Sequence, residues 1–184
     1  MVLFFENKQD YNFDFATASL AYLTRYPNPY AKHVLSIDTL DRYIDSTGQL
    51  VSTRVIVKTG RLPKFIKPFM GGTNLNSWII EKTVINPQNN TLVSYTSNVD
   101  HTRFVRVEEF LKYKGDDCAG VTVVESKVRF SSNLIGLKSK IEQWSHQRFS
   151  TNIEKTRKGL DYVMNRLKQQ RQRHVSYPGI GGLE

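Results

Sequence analysis

From Leu134 to Gln172 the chain runs without a proline, with only Gly136 and Gly159 against a helix, and such a stretch predicts one long helix. Ahead of it lie six runs rich in Val, Ile, Thr, Phe and Tyr, at 33–44, 51–60, 77–86, 91–99, 102–114 and 121–131. Turn chemistry separates several of them: Asp45-Ser46-Thr47-Gly48, Pro87-Gln88-Asn89-Asn90 and Gly115-Asp116-Asp117. Short connections make antiparallel neighbours. The fold class is therefore α+β: a curved antiparallel sheet of six or seven strands packed against a long C-terminal helix, able to enclose a cavity between the two layers. Phe13, Ala16, Leu20 and Leu23 recur at helical spacing, so a short first helix is expected from Tyr11 to Tyr26, ended by Pro27 and Pro29. One domain over 1–172 accounts for the 184 residues, with a disordered tail expected over 173–184.

The charge is unevenly placed. Lys plus Arg number 26 against 17 Asp plus Glu, a net +9, and most of that excess lies between 138 and 173. Such a balance favours anionic partners: nucleic acid, a phosphate ligand or an acidic membrane surface. No Cys/His finger spacing, aromatic RNA-binding string or helix-turn-helix signal occurs, so nucleic acid is not the expected partner. A single cysteine, Cys118, excludes an internal disulfide framework and a cysteine-based zinc site. The four histidines show no metal spacing, and nucleophile-elbow and phosphate-loop motifs are absent, so no enzyme, metal or cofactor is expected. No apolar run approaches the ~18–20 residues that span a bilayer. Residues 1–20 carry neither a secretory signal nor a matrix presequence, which points to the cytosol or to an organelle reached by another route.

Three segments are candidates for function. On the long helix, Leu134, Leu137, Ile141 and Trp144 share one side, which at about 100° per residue continues through Arg148, Asn152, Lys155 and Gly159. Either the helix bends and this face meets water, or these cations point into a cavity that holds an anion, since a buried cation needs a partner. Leu62–Thr73 interrupts the strands with Leu62, Phe65, Ile66, Phe69 and Met70 on one helical face and Arg61, Lys64 and Lys67 on the other positions. It is either a short helix on the core or a basic, aromatic-tipped lid able to touch a membrane. In Arg25-Tyr26-Pro27-Asn28-Pro29-Tyr30, two prolines make a stiff turn that could hold Arg25 in one place, although an arginine at a helix C-terminus is more often an exposed dipole partner.

Arg25 to Thr39 (RYPNPYAKHVLSIDT) closely resembles the PRELI-like family of mitochondrial lipid-transfer proteins, and looks most like its fungal member that carries phosphatidic acid. KTGRLPKFIKPF at 58–69, VINPQNNTL at 84–92, NVDHTRFVRVEE at 98–109 and KSKIEQWS at 138–145 extend the likeness in order to about residue 168. The resemblance implies a START- or phosphatidylinositol-transfer-like lipid cavity and shuttling of phosphatidic acid across the intermembrane space to the inner membrane, feeding cardiolipin synthesis. Sister members differ in headgroup, so phosphatidylserine is the rival cargo. It also implies anionic mitochondrial membranes as docking surfaces and a heterodimer with a small intermembrane-space protein carrying twin Cys-x9-Cys motifs. Carried over by position, the headgroup residues are Arg25, His33, Lys58, Arg148, Asn152 and Lys155, and the lid is Leu62–Thr73. Arg61 and Arg148 stand where the fungal pattern has lysine, which keeps the charge but replaces a point charge with a planar fork. The expected apolar lining is Leu35, Ile37, Ile56, Trp78, Ile80, Val105, Val107 and Trp144. On this reading Arg25→Glu is expected to abolish lipid extraction and leave the fold intact.

Overall fold

The computed structural model describes residues 1–59, 76–102, 104–116, 118–134 and 136–175. Strand β1 (Val2–Tyr11) leads through α1 (Phe15–Leu23) to β2 (Val34–Ile44), β3 (Leu50–Thr59), β4 (Asn76–Asn86), β5 (Thr91–Asn98), β6 (Arg106–Asp116), β7 (Val121–Ser131) and α2 (Lys138–Val175). The strands form one seven-stranded antiparallel sheet in the order β1-β7-β6-β5-β4-β3-β2. From β2 to β7 each strand pairs with the next, the short turns at 45–48, 87–90 and 115–117 joining three of the pairs and a longer link joining β3 to β4. The seventh strand comes from the N-terminus, which returns to pair with β7 from Val2↔Ser131 to Tyr11↔Thr122.

Four boundaries depart from expectation: α1 runs from Phe15 to Leu23 rather than from Tyr11 to Tyr26, and α2 from Lys138 to Val175 rather than from Leu134 to Gln172. Tyr11 belongs to β1 rather than to the first helix, and Asp14 starts α1 by accepting the Thr17 amide at 2.7 Å. β1 escapes a search for apolar runs because its inner face carries Asn7 and Gln9 between Phe5 and Tyr11. At the other end α2 continues through residues 173–175, which are helical rather than a disordered tail, while 176–184 lie outside the described residues. Unbranched residues such as Arg171, Gln172 and Arg173 favour continued helix.

The hydrophobic core is divided. One cluster joins Phe15, Ala18, Ala21 and Tyr22 of α1 to Leu160, Val163 and Met164 of α2 and to Ile85, Leu92, Tyr113 and Val124 of the sheet. The other gathers Val105, Val128 and Phe130, with Leu3, Phe5, Val107, Trp144 and Phe149 packed against them. Phe5 stacks on Phe149 at 4.8 Å between centroids and meets Phe130 edge-on at 5.5 Å. The two clusters pin the two halves of α2 to the sheet. The helix is thereby anchored at both ends, and its middle spans a space that neither cluster fills.

Candidate functional site

That space is a cavity of about 310 Å³ between the inner face of the sheet and α2. Apolar side chains line it, among them Ile56 and Ile79 of the sheet and Val105, Val107, Phe130 and Trp144 of the second cluster. Its polar wall is made by Arg25, His33, Lys58, Arg148, Asn152 and Lys155, which come from the turn after α1, from β3 and from the middle of α2. All six expected headgroup residues therefore face one cavity. The helix face that turns from Trp144 to Arg148, Asn152, Lys155 and Gly159 borders the cavity, with Asn152 and Lys155 open to solvent.

These groups are graded by depth. Asn152 and Lys155 are exposed at the rim, Lys58, His33 and Arg148 are half-buried, and Arg25 is buried beneath them. Burial, with Lys58, Arg148 and Lys155 facing it, holds His33 down at about 4. The ring is thus neutral at pH 7, kept so first by burial and then by the three cations. Burial alone lowers Arg148. Among the described residues none of the three cations has a carboxylate within ion-pair distance.

Arg25 is different. Its guanidinium pairs with Glu81 Oε2, donates to the Tyr22 carbonyl at 2.6 Å and lies 4.0 Å from the Tyr22 ring centroid and 4.8 Å from that of Tyr26. Arg54 takes the other oxygen of the same carboxylate, its Nε donating at 2.9 Å. Tyr22 donates to Glu81 Oε2 at 2.8 Å and lies 2.7 Å from Ser94 Oγ. Burial pushes the Glu81 carboxyl up, but Arg25 and Arg54 outweigh it and hold it below its usual range. One buried carboxylate therefore fixes two buried guanidiniums, a network that leaves the cavity floor one positive charge in excess.

Sequence reasoning missed Arg54, Glu81 and Glu109, all on the inner face of the sheet. A signal existed in the alternation Ser52, Arg54, Ile56, Lys58, which carries charge on one face of β3. The partner could not be read, because the link from β3 to β4 is too long to fix a register by turn geometry. The same parity corrects the expected lining. Trp78 pairs with Val57 and Ile80 with Val55, so both lie on the outer face of the sheet, while Ser77 and Ile79 face the cavity. Leu35 and Ile37 sit on the edge strand β2, next to a register shift at Val34/Ser36, and do not line the cavity. Ile56, Val105, Val107 and Trp144 do. The expected lid residues Arg61, Leu62, Lys64, Phe65, Ile66, Lys67, Phe69 and Met70 lie outside the described residues.

Gly159 explains how the turn seats against α2. A side chain there would meet Asn28 Oδ1 at 3.1 Å, and Asn28 in turn donates to the Arg25 carbonyl at 2.6 Å. The close approach that glycine permits docks the proline turn onto the helix beside the cations.

Comparison with known proteins gives a consistent result. The model of the PRELI-like family matches residues 16–170. "Protein UPS1, mitochondrial" of Saccharomyces cerevisiae is 44% identical over 172 residues, covering 93% of this chain and 98% of that protein. "PRELI domain-containing protein 1, mitochondrial" of Bos taurus is 35% identical over 150 residues, covering 80% of this chain and 68% of that protein. Among solved structures, a START superfamily protein from Mycobacterium smegmatis superposes with a TM-score of 0.52 at 12% identity, over 89% of this chain and 98% of that one. This last likeness is one of fold.

Proposed function

The chain belongs to the PRELI-like family, and from that premise we propose that it is a phosphatidic acid carrier of the mitochondrial intermembrane space, docking peripherally on the inner membrane and supplying cardiolipin synthesis. One observation carries this reading: Lys58, Arg148 and Lys155 face a partly apolar cavity, and among the described residues none of them has a carboxylate within ion-pair distance. An anion is the chemistry that answers such a site. A two-chain lipid holds roughly thirty methylenes, and exposing them at ~0.8 kcal/mol each costs on the order of 20 kcal/mol. Crossing an aqueous gap therefore needs a carrier with an apolar interior. Phosphatidic acid ends in a bare phosphate monoester, which several cations can meet directly, whereas a bulkier headgroup would hold some of them away. No bond of the lipid needs to change, so the cycle consists of docking, extraction and release.

A partner with twin Cys-x9-Cys motifs fits the same reading. The outer face of the sheet exposes Trp78, Val93 and Phe110 to about half of their surface, a patch suited to an apolar partner. Docking on membranes would be electrostatic first, through the net +9, and apolar second, through Phe65, Ile66, Phe69 and Met70.

The test is transfer between vesicles. Purified protein is expected to move phosphatidic acid from donor to acceptor liposomes, with docking weakened by salt and by Phe69→Asp. Failure to move phosphatidic acid while moving phosphatidylserine would assign the rival cargo. Docking indifferent to both salt and Phe69→Asp would place membrane contact on another surface.

A further inference from the structure

The inner face of the sheet carries a row of polar residues directly opposite one another on four neighbouring strands: Arg54, Glu81, Thr96 and Glu109. The two carboxyls in that row have opposite surroundings. Glu81 is clamped by two guanidiniums. Glu109 faces the cavity, and among the described residues no cation comes within ion-pair distance of it. Its neighbour Glu108 points to the other face, where Arg106 and Arg129 lie at 3.2 and 3.4 Å. The Glu109 contact on the inner side is a hydroxyl: Ser126 Oγ donates to Oε1 at 3.1 Å. Among the described residues no hydrogen bond is made to Oε2, and Glu109 lines the cavity.

An ionised carboxylate in this position would have no cation within ion-pair distance among the described residues and would oppose the anion that the cations beside it invite. A protonated one would do the reverse, offering an O–H to an acceptor. Burial raises the Glu109 carboxyl, and Lys58, Ser126 and Arg25 do not undo that rise. Lys58 and Arg25 are also its electrostatic neighbours, which sets Glu109 beside the wall expected to receive a headgroup.

We propose that Glu109 is a binding residue of this site, a neutral carboxyl that donates a hydrogen bond to a phosphate oxygen of the bound anionic phospholipid. The inference rests on the carrier reading above and adds a selectivity to it. A neutral acid helps a phosphate but gives no counter-charge to the ammonium of a serine or ethanolamine headgroup, so the same residue favours phosphatidic acid over aminophospholipids.

The full chain, Glu109→Gln and Glu109→Leu are compared in vesicle transfer of phosphatidic acid and phosphatidylserine, with melting curves recorded for each. Gln preserves a neutral donor, and transfer of phosphatidic acid is expected to stay within about twofold of the unmodified protein. Leu removes the donor, and a loss of about five- to tenfold is expected, the effect of one buried hydrogen bond. Infrared spectra keep the test open should the Leu variant fail to fold. The unmodified protein is expected to show a protonated-carboxyl band that Glu109→Gln removes and that added phosphatidic acid shifts. The proposal is overturned if Glu109→Gln takes up phosphatidic acid several-fold better, if it selectively loses phosphatidylserine, if a folded Leu variant transfers normally, or if no protonated-carboxyl band is present. An unmodified protein that transfers no phospholipid at all would remove the carrier reading itself. Normal transfer by that protein with three indistinguishable chains would remove only the role of Glu109.

Discussion

Arg25→Glu is expected to prevent accumulation of folded protein. The substitution would set a second carboxylate against Glu81 in a place where both are buried, and would leave Arg54 as the one cation between them. Removing one partner of a buried pair typically costs about 3–5 kcal/mol, and reversing its charge costs more. Against a total stability of about 5–15 kcal/mol, a loss of that size takes away most of the folded population. The check is the soluble yield and the thermal melt of Arg25→Glu beside Arg25→Glu/Glu81→Arg, in which the charges are exchanged. Recovery of a cooperative melt in the double variant is the expected result. A stable Arg25→Glu protein that has lost only lipid extraction, as the sequence alone suggested, would show that Arg25 is free to serve the ligand and that the pair with Glu81 contributes little.

Lys155→Glu is expected to do the opposite, stopping transfer without touching the fold. Lys155 is exposed at the rim, in no ion pair among the described residues, on the helix face that borders the cavity. Its neighbour Glu154 is held by Lys158 at 2.6 Å on the outer side, so no compensating rearrangement is at hand. Replacing an attraction to phosphate by a repulsion should lower transfer of phosphatidic acid at least about tenfold, which corresponds to ~1.4 kcal/mol. The melting temperature should stay within a degree or two, because a solvated surface charge contributes within about 0.5 kcal/mol. Unchanged transfer by Lys155→Glu would mean that the rim of α2 is not on the path of the headgroup.

The contrast between these variants marks what the sequence could and could not disclose. Most of the sheet was legible because short polar turns join several of its strands, although β1 was not, and the long helix because no proline interrupts it. The cationic side of α2 followed from helical periodicity carried past Trp144, and Arg148, Asn152 and Lys155 do line the cavity. Strand parity was harder. Trp78 and Ile80 look like lining because they are bulky and apolar, yet the face they occupy is set by the pairing of β3 with β4 across a long link. The inner face of those strands instead bears Arg54 and Glu81, and charged residues inside a sheet become intelligible only when their partners are known. Arg25 shows the same limit from the other side. Its neighbourhood in sequence is a stiff turn, whereas its environment is decided by a carboxylate that stands 56 positions further along.

The central claim is that cations from β3 and α2 gather around one site and hold an anionic lipid there. His33 lies among them and reports on it directly. In the lipid-free protein, burial and the field of Lys58, Arg148 and Lys155 keep the ring neutral until about pH 4. The unfolded chain takes up that proton near its ordinary value of about 6.5, so the lipid-free fold loses stability as the pH falls from there toward 4. A bound phosphate would cancel much of the cationic field and raise the ring's value, while burial, the larger cause, would keep it below the ordinary one, so part of a proton is taken up on binding. The measurement is an NMR titration of the His33 ring in protein stripped of lipid and in protein loaded with phosphatidic acid. A midpoint near 4 that climbs by a unit or more on loading is the predicted result. A midpoint that starts near 6.5, or that ignores phosphatidic acid, would contradict the account, because then either the cations do not converge on His33 or the phosphate does not lie among them.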